Sequence, residues 1–362
     1  MSKTRYIIKE GKAASCFFRS SVNPPERKAL LRITDRCNLH CAHCFISNGG
    51  YGNTMPVEVI QNTVIPQLKQ CRVSRVTLTG GEPFLHPDII KIAQALKDAD
   101  IGIGICTNGT IIHREQMKIL AKIRNIHINV SLHGFRPESH NRFTKNNEAF
   151  QKTVRAIKQL GKYSLLQGLL VTPNSFARVI EYSKLCDFAA ENGASYVLMN
   201  PLSSMGRGVK SKKKIAASNE MMREIRRVTT KFNHRIQVVY VRFPNDRLPL
   251  SSCEAGSIIY VFVNGDVTVC PYLVFSAKTP TSKHNPNEFI VGNIFHDIDI
   301  AERLDNYKFH ERYQVGNNIT CKNCYLREKC GKGCPAAIIA SGKKIGDVDI
   351  ELCPIFANSN GM

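Results

Sequence analysis

Cys37, Cys41 and Cys44 stand in a CxxxCxxC spacing directly after the apolar run Ala29-Leu30-Leu31-Arg32-Ile33-Thr34. Thiolates are soft ligands, and a compact set of them at a strand end suits a metal or an iron–sulfur cluster. An iron–sulfur cube takes four cysteine thiolates, yet no fourth cysteine follows before Cys71. Three ligands would leave one iron open to something else. A zinc site, or three cysteines with no shared role, are the other readings of this stretch alone.

A second chemical feature lies one strand further on. Val76-Thr77-Leu78-Thr79 reads as a strand and runs into Gly80-Gly81-Glu82-Pro83. Paired glycines let backbone come close to a ligand, and a carboxylate accepts hydrogen bonds from an ammonium group. Together the two motifs resemble the radical S-adenosylmethionine (radical SAM) superfamily, whose signature is the CxxxCxxC spacing and whose GGEP motif ends the second barrel strand. The resemblance implies a 4Fe-4S cluster on Cys37, Cys41 and Cys44, with its free iron chelating the amino and carboxylate groups of S-adenosylmethionine. It also implies the reaction: an electron delivered to the cluster cleaves the cofactor, and the resulting 5′-deoxyadenosyl radical abstracts hydrogen from a substrate.

The elements that must position these residues are legible as alternation. From Ala29 to about His234 apolar strands alternate with amphipathic helices, the pattern of parallel βα units, and six units are counted. The strands are Leu30–Thr34, Val76–Thr79, Gly102–Cys106, Ile126–Val130, Leu165–Val171 and Tyr196–Met199, each stopping at polar or turn-forming residues. Helices are expected from near Pro56, from near Pro87 and over Phe176–Glu191. In βα barrels the working residues sit at the carboxyl ends of the strands. The resemblance implies an α/β fold, an open partial (β/α)6 barrel. By the same resemblance Gly80, Gly81 and Glu82 bind the cofactor, Asn108, Ser131 and His133 lie near its ribose and carboxylate, and Val171 and Met199 flank the adenine. A simple strand-end cap is the other reading of Ser131, and plain core packing that of Val171 and Met199. His43 stands where the family has an aromatic residue; its ring is flat enough to stack, and no catalytic role is assigned to it.

The C-terminal part carries seven cysteines. Cys253 and Cys270 bracket a hairpin, Ile258–Val263 turning at Asn264-Gly265 into Asp266–Val269. Cys321, Cys324, Cys330, Cys334 and Cys353 follow in a dense array. A zinc ribbon is one reading of CxxC pairs. The array resembles the SPASM domain, a smaller C-terminal extension of radical SAM enzymes that carries two auxiliary iron–sulfur clusters. That resemblance assigns Cys321, Cys324, Cys330 and Cys353 to one cluster and leaves Cys253, Cys270 and Cys334 to another with an incomplete cysteine set, both expected as 4Fe-4S. Cys16, Cys71, Cys106 and Cys186 fit no motif and read as buried apolar cysteines, with Cys106 facing the expected active-site mouth. The chain thus divides into an N-terminal arm (1–27), a barrel (28–235) and a cluster-binding unit (236–362).

With 362 residues, 43% hydrophobic and 22% charged, the composition is that of an ordinary globular protein. No run is long and apolar enough for a membrane span and no signal peptide is visible, so a cytoplasmic location and no membrane partner are expected. Fourteen cysteines without an export signal point to metal or cluster binding rather than disulfides. The formal net charge of +21 favours acidic partners, here a flavodoxin- or ferredoxin-type electron donor. The basic run Gly206–Lys214 reads as a solvated loop or as a contact for such a partner. Nucleic acid is not an expected partner, since neither helix-turn-helix nor stacking-aromatic signatures are apparent. The resemblance points to a peptide or protein substrate, crosslinked, epimerised or oxidised; a small molecule such as a sugar or amino-acid derivative is the alternative. Formylglycine formation, the sulfatase-maturase reaction, is disfavoured because those enzymes place an acidic residue where this chain has Pro271. With only a short arm before the barrel, a separate leader-peptide-binding protein recognises the peptide or no leader is needed.

Overall fold

A computed structural model describes residues 11–17, 22–47 and 51–357. The arm expected over 1–27 therefore lies in part, at 1–10 and 18–21, outside the described residues. Ten strands form one sheet: β1 (Arg27–Thr34), β2 (Val73–Gly80), β3 (Gly102–Thr107), β4 (Ile126–Ser131), β5 (Leu166–Val171), β6 (Tyr196–Met199), β7 (Gln237–Tyr240), β8 (Ile258–Val261), β9 (Asp266–Thr268) and β10 (Ile290–Asn293). Strands β1 to β7 lie side by side in chain order and all parallel.

The six expected strands are all present, and the sheet is larger than they are. Sequence reading began the C-terminal unit at residue 236, whereas β7 pairs parallel with β6, Val197 opposite Val238 and Met199 opposite Tyr240. On the other edge β8 pairs parallel with β1, Leu30 opposite Tyr260, and turns through the expected Asn264-Gly265 hairpin into antiparallel β9 and β10. Unpaired sheet edges expose rows of backbone donors and acceptors, so both edges of the six-stranded core are satisfied by chain that follows it.

Alternation along each strand sets the two faces. In β4 Ile126, Ile128 and Val130 are buried while His127, Asn129 and Ser131 stay partly exposed. The first set packs beneath helices such as Ala149–Lys162, whose buried Ala149, Thr153, Ala156, Ile157 and Leu160 recur at helical spacing. The second set lines the barrel interior, where Cys106 stands opposite Asn129. The helix expected near Pro56 forms as Val57–Val59, Ile60–Val64 in π geometry and Ile65–Gln70. The one expected from Phe176 starts at Val179. Among the described residues no helix is long and apolar enough to cross a membrane.

Candidate active site

The cysteine loop leaves β1 at Thr34 and is fixed from three sides. From β2, the Gly81 amide donates to Thr34 O at 2.8 Å and the Glu82 amide to Arg36 O at 2.8 Å. A Cβ on Gly81 would sit 2.3 Å from that Arg36 oxygen, so the glycine is required for one backbone to approach another. From the helix Pro137–Thr144, the Phe143 and Thr144 carbonyls accept from the Ala42 and His40 amides at 2.9 and 3.3 Å. From the loop after β6, Arg207 donates through Nε to Cys41 O at 2.8 Å and through its amide to Cys44 O at 3.0 Å. Gly206 beside it has φ of 53°, and a Cβ there would lie 2.4 Å from Cys44 O. The basic run is thus not a free loop: its first cation clamps the cysteines, and Gly208–Ile215 is helical.

Glu82 is fully buried. Its Oε1 accepts from the Phe84 amide at 3.0 Å and from Thr107 Oγ1 at 2.7 Å, and its Oε2 from the Asn108 amide at 2.7 Å. Burial pushes this carboxyl up to about 7 against the pull of those three donors. Asn108 in turn reaches the cysteine loop, its Nδ2 donating to Asn38 Oδ1 at 3.0 Å while Asn38 donates to Thr110 Oγ1 at 2.8 Å. The carboxyl ends of β1, β2 and β3 therefore form one polar network around Cys37.

His133 is buried, its Nδ1 accepting from the Thr172 amide at 3.1 Å and its ring 4.5 Å from that of His43. His43 also stacks on Phe143 at 4.9 Å, so its expected aromatic role is physically available. Burial lowers His43 to about 4 and His140, whose Nδ1 accepts from the His133 amide, to about 3. These imidazoles are neutral packing groups at ordinary pH. Ser131 ends β4 on the interior side. Val171 and Met199 are buried within the main core cluster.

Cys37, Cys41 and Cys44 are free, partly exposed thiols. The Leu39 amide donates to Cys37 Sγ at 3.4 Å, as amides do to cluster-bound sulfur. Burial, and then the Cys37 and Cys44 charges, push the Cys41 thiol up; burial pushes Cys37 up to about 11. Crowded thiols of this kind stay protonated unless a cation holds them as thiolates, so the donor set fits an iron cluster. Among the described residues no three His, Cys, Asp or Glu side chains are gathered around one ion's position.

Among the C-terminal cysteines, Cys321 and Cys330 lie near enough to Cys353 for their charges to act on it: burial, and then those charges, push its thiol up. Amides of Leu326 and Lys332 donate to Cys324 Sγ and Cys330 Sγ, each at 3.4 Å. Cys253, Cys270 and Cys334 instead line one cavity, and Cys16 lines it with them. Cys71 and Cys186 lie buried in the core, as expected of unassigned cysteines. Sequence reading missed Arg207, Thr107 and the company of Cys16: a charge run, a strand-end hydroxyl and an isolated cysteine carry no local signal of their partners.

Residues 31–174 match the family model described as the radical SAM superfamily. Over that segment the chain is similar to the radical SAM superfamily. Its relatives include the antilisterial bacteriocin subtilosin biosynthesis protein AlbA of Bacillus subtilis, 26% identical over 341 residues covering 91% of this chain and 71% of that protein. The mycofactocin maturase MftC of Mycobacterium tuberculosis is 24% identical over 337 residues, covering 88% and 81%. Among solved structures, Streptococcus suis SuiB bound to precursor peptide SuiA superposes with a TM-score of 0.70 at 20% identity, covering 90% of this chain and 75% of that one. That likeness is one of fold, the mostly parallel α/β arrangement described above.

Proposed function

We propose that this chain is a radical SAM peptide maturase that takes hydrogen from a residue of a ribosomally made peptide. The observation that carries the reading is the pinned cysteine loop, tied through Gly81, Glu82 and Asn108 to the carboxyl ends of β2 and β3. Cys37, Cys41 and Cys44 would hold the 4Fe-4S cluster, and Glu82 with Asn108 would receive the polar groups of S-adenosylmethionine. When bound, the two together supply one-electron chemistry able to take hydrogen from an unactivated carbon. The chain's own part is positional. Glu82 is held rigid by three donors, Arg207 keeps the cysteine loop over the barrel mouth, and the neutral His43–Phe143 stack keeps charge and water from that side.

The substrate class is supported by relatives named as bacteriocin biosynthesis and mycofactocin maturation proteins, and by a structural neighbour bound to its precursor peptide. The C-terminal thiols are read as a SPASM-type unit with two auxiliary clusters, one on Cys321, Cys324, Cys330 and Cys353 and one on Cys253, Cys270 and Cys334. When bound, such clusters would supply an acceptor for the electron of a substrate radical. An acidic flavodoxin or ferredoxin suits the net charge of +21 as donor. Pro271 opens the helix that follows Cys270, so no carboxylate stands there for formylglycine chemistry.

The test uses anaerobically reconstituted full chain, a low-potential reductant and S-adenosylmethionine, with 5′-deoxyadenosine as readout. The native chain is expected to produce it and the Cys37→Ala/Cys41→Ala/Cys44→Ala variant is not. Deuterium carried from a labelled precursor peptide into 5′-deoxyadenosine would identify the substrate; cleavage with no transfer from any peptide encoded beside the gene would remove the peptide reading.

A further inference from the structure

We propose that Cys16 is the fourth cysteine ligand of the auxiliary cluster held by Cys253, Cys270 and Cys334. The assignment rests on the auxiliary-cluster reading above and changes it, because the cluster then has no open iron. The three cysteines line one cavity, and Cys16 and Phe17 complete its wall. Cys16 is buried, only 4% exposed, in a strap that is remote in sequence from the other ligands.

What brings it there is a set of specific bonds. Ala13 forms a parallel bridge with Leu250, donating to Pro249 O at 2.9 Å and accepting from the Ser251 amide at 3.0 Å. The Ser15 and Ser251 hydroxyls meet at 2.8 Å, and Arg242 donates from Nη1 to Ser15 O at 2.9 Å. The strap therefore delivers Cys16 in a fixed direction. Its Sγ lies 3.5 Å from the carbonyl oxygens of Ser252 and Gly333, the residues just before Cys253 and Cys334. Cys16 is near enough to both those cysteines for the charge of one thiolate to act on the other. Phe17 stacks on Tyr272, two residues past Cys270, at 4.8 Å. One end of the strap thus touches the neighbourhood of all three other ligands, and four thiols around one buried cavity are the complement a cube requires. Ligation forms one Fe–S bond from Cys16 and releases its thiol proton, with no change of oxidation state. A closed cluster of this kind can pass electrons but offers no iron to a substrate group.

The test is made in the Cys37→Ala/Cys41→Ala/Cys44→Ala background, so that only auxiliary clusters are counted. The full chain, reconstituted anaerobically, is expected to hold about eight irons and to show no coupling to added ¹³C-cyanide by electron–nuclear double resonance. Adding Cys16→Ala should remove about four of those irons or open one iron to cyanide. Cys16→Ser should keep the cluster with shifted g values. Unchanged iron, g values and cyanide behaviour in both variants, while Cys253→Ala loses a cluster, would overturn the Cys16 assignment alone. A parent that holds no second cluster, with Cys253→Ala silent, would overturn the auxiliary-cluster reading and the Cys16 assignment with it. Far-UV circular dichroism of the metal-free variants separates loss of a ligand from loss of the fold.

Discussion

Arg207 grips the cysteine loop twice, donating through Nε to the Cys41 carbonyl at 2.8 Å and through its backbone amide to the Cys44 carbonyl at 3.0 Å. The side-chain bond is charge-assisted, and the backbone bond survives substitution. Arg207→Ala should therefore leave the fold standing at a cost of about 1–3 kcal/mol while loosening the ligand loop. Expected are lower iron retention at the first cluster and slower 5′-deoxyadenosine formation, with Arg207→Lys intermediate because an ammonium lacks the fixed fork of a guanidinium. Full iron content and full cleavage in Arg207→Ala would show that the clamp is dispensable.

Glu82 makes stability depend on pH. Its folded value is raised from 4.5 to about 7 by burial, so the folded metal-free chain binds this proton more tightly than the unfolded chain. The contribution is complete below about pH 4.5 and is lost as pH rises through about 7. The shift corresponds to about 3 kcal/mol. The difference in unfolding free energy between native chain and Glu82→Gln, measured by denaturant titration, should fall by that order across this window. A flat difference would mean that the three donors hold the carboxylate charged throughout.

Gly81→Ala tests why the glycine pair is there. A Cβ would lie 2.3 Å from Arg36 O, and backbone on both sides has little room to yield. A loss of about 1–3 kcal/mol is expected from the crowding, together with displacement of the cysteine loop and weaker first-cluster loading. Gly81→Ala with native stability and native iron content would assign the glycine to ligand access instead.

Arg242 and Asp349 form a two-armed buried pair at 2.7 and 3.0 Å, with side chains 3% and 2% exposed. Burial opposes the Arg242 charge, and Asp349 first, with Glu351, more than offsets it. Asp349 Oδ2 also accepts from the Cys334 amide at 3.1 Å, and Arg242 holds the strap through Ser15 O. Asp349→Ala leaves the buried Arg242 cation with only the half-exposed Glu351 as carboxylate partner and should cost about 3–5 kcal/mol, read as a lower denaturant midpoint. Loss well below that range would show that Glu351, which Arg242 Nη2 also contacts at 2.7 Å, carries the charge by itself.

What the sequence by itself determined is local. Alternating apolar residues marked six strands, since side chains point to opposite faces with a period of two, and polar strand ends marked where a site belongs. The CxxxCxxC spacing and Gly80-Gly81-Glu82 named the chemistry because their partners lie within one βα unit. Tertiary structure alone decided what joins chain segments far apart. Pairing at a sheet edge depends on which backbone arrives there, so β7 beside β6 and β8 beside β1 have no local signal. Arg207 looked like one cation in a basic run, and only the fold puts it on Cys41. Cys16 looked like a stray thiol, and only the strap's bonds to Pro249, Ser251 and Arg242 carry it to Cys253 and Cys334, because ligand sets are defined by distance in space and a strap can enter from anywhere in the chain.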